Sequence, residues 1–363
     1  MPSILVVASH RPGRNPSQRY RIEQFVPYWE RHGVRVEYAW LIDEEDDEAF
    51  YTQGRLIDKA RILLKSIRRR AAHVRRARSF DLIFLQREAL MIGSIRFERA
   101  FAATGVPMIY DFDDAIWHMD VSDANRRLKW LKDPGKTPRI MALATHVIAG
   151  NEYLAGFARA HNLRVEVIPT VIDTERYVPL APAARPDGKV IIGWTGSYTS
   201  AGHLRLAIPV LLGLQREFGD RIGFRFISDR AIEVPGLDVE NVRWSSASEP
   251  EDIAPIDIGI MPLPDTEWSR GKCGFKGLQC MAMAKAVVLA DVGVNRAIIQ
   301  DGVNGMLARN DAEWTDRLRQ LITNADLRHR LGAEARRTVE RHYSTLAWRD
   351  RYLELFAELT QPR

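Results

Sequence analysis

The sequence lacks several features that would assign it to a class at once. It has no run of about 18 apolar residues, the length that a membrane-spanning helix needs, and its first residues lack the order of charge, apolar run and cleavage site typical of a signal peptide. Its only cysteines, Cys273 and Cys280, have no further Cys or His clustered beside them. That pattern favours reduced thiols over a disulfide scaffold or a zinc site. We therefore expect a cytoplasmic protein without a bound metal.

No internal repeat or low-complexity tract is present, and no GxGxxG motif follows the first apolar segment, which argues against a dinucleotide-dependent dehydrogenase. A length of 363 residues is typical of two domains. Apolar segments alternate with helical patterns in both halves, and a Pro- and Ala-rich stretch at 181–188 separates them. This pattern predicts an α/β protein with two successive Rossmann-like halves.

The net charge of +5 is concentrated in one half of the chain, because residues 1–180 hold 28 Lys and Arg against 23 Asp and Glu. Ten of these basic residues fall in 55–78, where apolar residues recur at helical spacing. Two interpretations of this basic amphipathic helix remain open. It either docks on an anionic membrane surface or a phosphate-bearing acceptor, or it is a surface helix whose apolar stripe covers the core.

The segment 257–293 combines an apolar strand, a polar loop, a helix at about 275–285 and a further apolar strand. Such a βαβ unit places its loop at the carboxyl edge of a parallel sheet, where ligands bind. Lys272 and Lys276 stand beside the start of the helix, whose N–H groups and dipole also attract anions. A phosphate or diphosphate is therefore the expected ligand, and a solvated loop in front of a core helix is the alternative.

Two further strand ends carry polar residues. Residues 190–194 lead into a turn with Gly196, Ser197 and Thr199, where glycine permits close approach of a phosphate. The strand at 107–110 leads into a cluster of three carboxylates, an indole and an imidazole: Asp111, Asp113, Asp114, Trp117 and His118. These groups suit Mg²⁺, sugar hydroxyls or acid–base chemistry, whereas the simpler interpretation is a helix N-cap with solvated neighbours.

Four segments together resemble the group 1 family of retaining GT-B glycosyltransferases, which use nucleotide sugars. They are VIPTVIDTERYVP from 167, GWTGSYTSAGHL from 193, KCGFKGLQCMAMAKAVVLADVGVN from 272 and IIQDGVNGMLA from 298. The resemblance implies two facing Rossmann-like domains with a cleft between them. It divides the chain into an acceptor domain at 1–180, a nucleotide-sugar domain at 181–345 and a crossover helix at 346–363 that packs back on the first domain.

The resemblance also implies roles for individual residues. Lys272, Lys276, His118 and Asp114 become the candidate catalytic residues. The candidate donor-binding residues are Gly196, Ser197, Thr199, Ser228, Trp244, Phe275 and Gln279. The candidate acceptor-binding residues are Arg19, Arg21, Asp111, Asp113 and Trp117. No cofactor is implied beyond a nucleotide diphosphosugar as co-substrate, and no metal ligand is assigned.

The chain departs from the family pattern at two places. The family has one Glu before the donor helix and a second eight positions later, where this chain has Gly271 and Gln279. Gln279 retains hydrogen-bonding groups for a ribose, but Gly271 has no side chain to contact the transferred sugar. The family's basic residue in the phosphate turn is also missing, and we expect Lys272 and Lys276 to replace its charge.

Three functions follow as alternatives. A retaining, metal-independent glycosyltransferase is favoured, with a lipid-linked or cell-surface glycan precursor as acceptor and a place at the inner face of the membrane. A non-catalytic nucleotide-sugar-binding partner is motivated by Gly271. An epimerase or phosphorylase on the same fold remains the third. Nucleic-acid binding is not expected, because no recognised motif accompanies the basic helix.

Overall fold

The computed structural model describes residues 2–52, 54–118, 130–180 and 188–361. The chain divides into two compact units, of which the first comprises Met1–Pro169 with Trp348–Arg363 and the second comprises Thr170–Ala347. The division falls after Pro169, whereas the sequence places it after residue 180. Within the described residues no helix is long and apolar enough to cross a membrane.

The first unit contains a six-stranded parallel sheet in the order β2-β1-β3-β4-β5-β6. The strands are β1 (Ser3–Val7), β2 (Arg35–Ala39), β3 (Leu82–Gln86), β4 (Met108–Phe112), β5 (His146–Ala149) and β6 (Val165–Val167). The helices are α1 (Pro16–Arg21), α2 (Val26–Arg31), α3 (Glu44–Tyr51), α4 (Leu56–Arg76), α5 (Arg96–Ala102), α6 (Lys136–Leu143) and α7 (Glu152–Arg159). Every residue of β3 and β4 is buried, as expected for central strands of a sheet covered on both faces.

The second unit repeats this architecture with the order β12-β11-β10-β7-β8-β9, again parallel throughout. Its strands are β7 (Val190–Thr195), β8 (Ile222–Ser228), β9 (Val239–Arg243), β10 (Ile258–Met261), β11 (Ala286–Ala290) and β12 (Met306–Ala308). Its helices are α8 (Ala201–Leu204), α9 (Ile208–Phe218), α10 (Glu249–Ile253), α11 (Glu267–Arg270), α12 (Phe275–Ala282), α13 (Asn295–Ile298), α14 (Asp311–Thr323) and α15 (Ala325–His342). The prediction of an α/β protein built from two Rossmann-like parallel sheets is confirmed.

The last helix, α16 (Thr345–Thr360), completes the core of the first unit. The ring of Tyr352 lies 4.8 Å from that of Phe25 and 5.2 Å from that of Trp29, measured between centroids. Phe356 meets Trp29 edge-on at 4.9 Å. Aromatic side chains bury more apolar area than any others, so this cluster anchors the end of the chain to its beginning.

Candidate functional site

Helix α12 begins at a glycine that no other residue could replace without strain. Gly274 has a φ of +69°, and a Cβ placed there would lie 2.3 Å from Cδ1 of Ile298. Glycine alone adopts this backbone freely and leaves the required space. The tight turn sets the first residues of α12, including Lys276, at the carboxyl edge of the second sheet.

The side chain of Lys276 reaches back to the turn that follows β7. Its Nζ donates a hydrogen bond of 2.8 Å to Oγ of Ser200 and lies 4.4 Å from the ring centroid of Trp194. A Cβ on Gly196 would approach that Nζ to 2.4 Å. The lysine of α12 and the glycine turn after β7 therefore form one site, although they are 80 residues apart in the sequence.

Two further basic side chains, those of Lys272 and His203, interact electrostatically with Lys276. Burial and the neighbouring charge of Lys272 lower the pKa of Lys276 to about 7. Burial, followed by the charges of Lys276 and Lys272, also lowers the pKa of His203. The Lys272 ammonium itself lies 4.7 Å from the ring centroid of Trp268. Because each positive charge makes the others harder to protonate, this cluster is electrostatically suited to a multivalent anion.

In the turn after β7, two side-chain hydroxyls lie within hydrogen-bond distance of each other, but the first backbone N–H of the turn already has a partner. Oγ of Ser197 lies 2.8 Å from Oγ1 of Thr199, at a 3-10 turn with exposed hydroxyls. The Gly196 N–H donates to the carbonyl oxygen of Ile227 at 2.9 Å, as part of the β7–β8 ladder. This N–H is therefore engaged by the sheet and is not directed toward the site.

A carboxylate that the sequence analysis did not select lies beside the same turn. Oδ1 of Asp229 accepts the backbone N–H of Tyr198 at 2.6 Å and lies 3.4 Å from Oγ of Ser228. Ser228 is 2% exposed at the end of β8, and its carbonyl oxygen accepts the N–H of Trp244. Only the position of Asp229 directly after a strand could have drawn attention to it.

Gln279 lies at the centre of a buried hydrogen-bond network. Its amide nitrogen donates to Oε1 of Glu249 at 2.8 Å and to the hydroxyl of Tyr177 at 3.0 Å. The indole N–H of Trp244 donates to the same Glu249 oxygen at 2.9 Å. Of these residues, Tyr177 and Glu249 were missed, because the sequence shows no spacing that links them to α12. Phe275, the first residue of α12, is half-buried.

Two predicted acceptor residues of the first unit belong to its core. The guanidinium of Arg21 and the carboxylate of Asp111 form an ion pair in which both side chains are 0% exposed. Arg21 also donates to the carbonyl oxygen of Ile168. In this structure the two predicted acceptor residues thus pair with each other in the core and line no open surface. Arg19 is likewise buried, with its guanidinium over the ring of Tyr20 at 4.9 Å.

The two carboxylates that follow β4, those of Asp113 and Asp114, are partly buried, with 12% and 19% of their side chains exposed. Asp113 and Asp114 both accept hydrogen bonds from the guanidinium of Arg87. Burial raises the pKa of Asp113, but Arg87 and Arg21 outweigh that effect and hold it below its ordinary value. Arg87 has a φ of +62°, a conformation that costs free energy in a non-glycine residue. In this geometry the guanidinium of Arg87, rather than a cation from solution, balances the charge of both carboxylates.

The indole of Trp117 stacks on Phe157, with ring centroids 3.9 Å apart and an interplanar angle of 8°. The ring of His118 lies 5.5 Å from that of Trp117, measured between centroids. Residues 119–129, which follow His118, lie outside the described residues. Within the part of the chain that the structure describes, no three His, Cys, Asp or Glu side chains are grouped to hold a metal.

Comparisons with known proteins agree with this architecture. Residues 230–324 match the family described as glycosyl transferases group 1. A curated D-inositol 3-phosphate glycosyltransferase from Stackebrandtia nassauensis is 27% identical over 220 residues, which are 53% of this chain and 49% of that protein. The chain thus spans about half the length of the curated relative it matches.

Two solved structures of low sequence identity show the same fold over the whole chain. Anabaena HepE, in complex with UDP and glucose, is 16% identical, covers 98% of this chain and 99% of its own, and gives a TM-score of 0.65. Sucrose-phosphate synthase from Thermosynechococcus elongatus is 12% identical, covers 99% of both chains and gives a TM-score of 0.72. At these identities the likeness concerns the fold.

Proposed function

We propose that this protein transfers a sugar from a nucleotide diphosphosugar to an acceptor with retention of configuration. Its residues 230–324 match the group 1 glycosyltransferase family, and the chain has the fold of HepE and sucrose-phosphate synthase. The observation that carries the proposal is the position of Lys276. Its ammonium lies on the turn after β7, where parallel α/β sheets bind phosphates. The ammonium of Lys272 adds positive charge beside it.

The two lysines would act on the leaving group. As the bond between the sugar C1 and the diphosphate oxygen breaks, negative charge grows on the diphosphate, and cations already held in place stabilise it without reorganisation. The new bond joins C1 to the acceptor oxygen on the same face, and the acceptor's proton passes to the departing phosphate oxygen. Loss of one such preorganised group typically costs about 3 kcal/mol, roughly a hundredfold in rate. In the proposed mechanism the two lysines neutralise the leaving diphosphate, which is the role of the metal ion in metal-dependent enzymes.

The acceptor is proposed to bind at the end of β4, near Asp113, Asp114 and His118. Carboxylates at a strand end can accept hydrogen bonds from sugar hydroxyls, and the Arg87 guanidinium fixes both of them. A lipid-linked or cell-surface glycan precursor is the proposed acceptor class, which would place the protein at the inner face of a membrane. The excess of positive charge in the first half of the chain supports that choice.

Gly271 supports a second candidate, a binding protein that holds a nucleotide sugar without transferring it. The family's Glu at this position contacts the transferred sugar, and glycine offers no side chain for that contact. The two functions differ in one observable, since only a transferase releases nucleoside diphosphate from the donor. An epimerase would change the sugar without releasing it.

A thermal-shift screen against UDP, GDP, ADP, TDP and CMP tests whether the protein binds a nucleotide, which both candidate functions require. A saturating ligand stabilises the folded protein by a few kcal/mol, about 2.7 at a hundred times Kd. UDP-glucose is the first donor to assay, because HepE was solved in complex with it. Release of UDP together with an α-configured product, read by NMR, would support the transferase. Absence of any shift with all five nucleotides at millimolar concentration would contradict both candidates.

A further inference from the structure

Helix α4 presents to solvent a face that is both basic and apolar. At 100° per residue, positions 57, 61, 64, 68, 71 and 75 fall on one side of a helix. They are Ile57, Arg61, Leu64, Arg68, Ala71 and Arg75. Ile57 is 87% exposed and Leu64 is 58% exposed, and all three arginines are exposed as well. We call this set the outer stripe of α4.

The opposite face of α4 is the one that packs on the first unit. Lys59, Ile62, Ser66 and Arg70 are buried there, and the guanidinium of Arg70 donates to the carbonyl oxygens of Ala8, Ala39 and Ala89. The helix is therefore already anchored without the outer stripe. Burial of an apolar stripe in the core, the simpler of the two sequence interpretations, does not account for Ile57 and Leu64.

Neighbouring acids neutralise the flank of α4 but not its outer stripe. Lys65 pairs with Asp46 at 2.6 Å and Arg69 pairs with Asp43 at 2.7 Å, both acids belonging to the start of α3 or its cap. Among the residues that the structure describes, no carboxylate lies in ion-pair distance of Arg61, Arg68 or Arg75. Three positive charges thus remain along about 21 Å of exposed helix.

The middle of the stripe borders a shallow groove of about 480 Å³. Four cationic side chains and one leucine line it: Arg61, Leu64, Lys65, Arg68 and Arg69. A groove with this lining fits a phosphate group whose apolar substituent continues over Leu64. Phospholipid headgroups have that combination of an anion and an attached apolar chain.

We propose that the outer stripe of α4 docks the protein on an anionic phospholipid surface, with its three arginines among the headgroup phosphates and with Ile57 and Leu64 inserted between them. An exposed helix with arginines and large apolar residues on one face is the pattern that lies in the plane of a membrane interface. Nucleic acid is less well matched, because isoleucine and leucine gain nothing from a phosphate backbone. The inference goes beyond sugar transfer and does not depend on it.

Vesicle co-sedimentation tests the proposal, with phosphatidylcholine vesicles that contain or lack phosphatidylglycerol. The protein should sediment only with the anionic vesicles, and salt near 0.5 M should reduce binding because it screens the charges. Each basic residue near such a surface changes the partition about fivefold. The variant R61E/R68E/R75E should therefore lose at least a hundredfold of its vesicle affinity, and I57S/L64S should weaken binding at every salt concentration.

Matched controls carry the same changes elsewhere on the chain. R164E/R216E/R341E alters the net charge equally at exposed positions, and L163S/L206S removes two other exposed leucines. Both controls should bind vesicles like the wild type. Equal loss in the controls, binding to neutral vesicles alone, or competition by DNA but not by anionic vesicles would overturn the proposal. Nucleotide-induced thermal shifts should be unchanged in every variant, which separates this test from that of the proposed function.

Discussion

The amide nitrogen of Gln279 donates to the carboxylate of Glu249 at 2.8 Å and to the hydroxyl of Tyr177 at 3.0 Å. An amide has two N–H groups, so both are used and the orientation of the side chain is fixed. Its Oε1 accepts no hydrogen bond from any residue that the structure describes. Gln279 therefore presents its carbonyl oxygen as an acceptor, and the carboxyl group of the pair belongs to Glu249.

We predict that the carboxyl group of Glu249 and the amide of Gln279 can be exchanged between positions 249 and 279. Gln279→Glu alone places two carboxylates about 3 Å apart, which raises the pKa of one of them. A raised carboxyl pKa stabilises the fold only while the proton is bound, so stability should fall as pH rises from about 5 to about 8. Melting temperature as a function of pH measures this effect.

The double variant E249Q/Q279E restores one acid and one amide, and should recover both the wild-type melting profile and the affinity for nucleoside diphosphate. Comparison with the 2′-deoxy nucleotide identifies the ribose as the group concerned, whereas inorganic pyrophosphate should bind all variants alike. Equal binding of the ribo- and deoxynucleotides by every variant would show that Gln279 serves only the fold.

Nucleotide binding should be coupled to the protonation of Lys276. Its pKa is lowered from 10.5 to about 7, first by burial and then by the charge of Lys272, so the free protein loses this proton near pH 7. A bound diphosphate favours the charged ammonium and should restore the proton. Affinity for UDP should therefore decrease as pH rises above about 7, and titration in buffers of different ionisation enthalpy should show proton uptake.

In Lys276→Arg the guanidinium stays charged, so the pH dependence should disappear, and Lys276→Ala should lower turnover about a hundredfold. The same pKa shift acts on folding, because the unfolded chain binds the proton up to pH 10.5. The free energy of unfolding should rise between pH 7 and pH 10.5, and Lys276→Met should abolish that rise. A flat pH profile in the wild type would contradict the assigned environment.

Gly196→Ala should act through Lys276 rather than through the backbone. The three atoms nearest to the added Cβ all belong to side chains, namely Nζ and Cε of Lys276 and Oγ of Ser200. We expect a folded protein whose lysine is displaced from the turn, with nucleotide affinity reduced as in Lys276→Ala. Since the two changes remove one interaction, the double variant should be no weaker than Lys276→Ala.

Gly213→Ala is the control, because its Cβ would meet nothing within 4 Å. It lies inside α9, where alanine is the better helix former, and should leave nucleotide affinity unchanged. Additive losses in G196A/K276A would show that the glycine contributes to binding by itself.

Arg21 and Asp111 should govern stability and leave nucleotide binding unaffected. Removal of one partner from a buried ion pair strands the other charge and costs about 3–5 kcal/mol. Arg21→Met should therefore lower the urea midpoint of the first unit strongly, and R21M/D111L should recover much of the loss. Thermal shifts with UDP, measured at low temperature on folded protein, should match those of the wild type.

The sequence predicts the strands and the placement of Lys276 better than it predicts how polar residues pair. The βαβ unit from β10 to β11 follows from apolar runs and a polar loop, which are local signals. Whether Asp111 is a substrate contact or a core ion pair depends on Arg21, 90 positions away, and strand periodicity contains no information about that pairing. The Glu249–Gln279 contact was missed for the same reason, since both residues look like surface polar residues in isolation.

Helix α16 has a consequence for synthesis of the chain. The rings of Phe25 and Trp29 are translated before the second unit, whereas their packing partners Tyr352 and Phe356 are translated after it. The first unit must therefore wait, with part of its aromatic core uncovered, while the second unit, continuous from 170 to 347, has every segment it needs to fold. In cells, the later half of this polypeptide should become protease-resistant before the earlier half does.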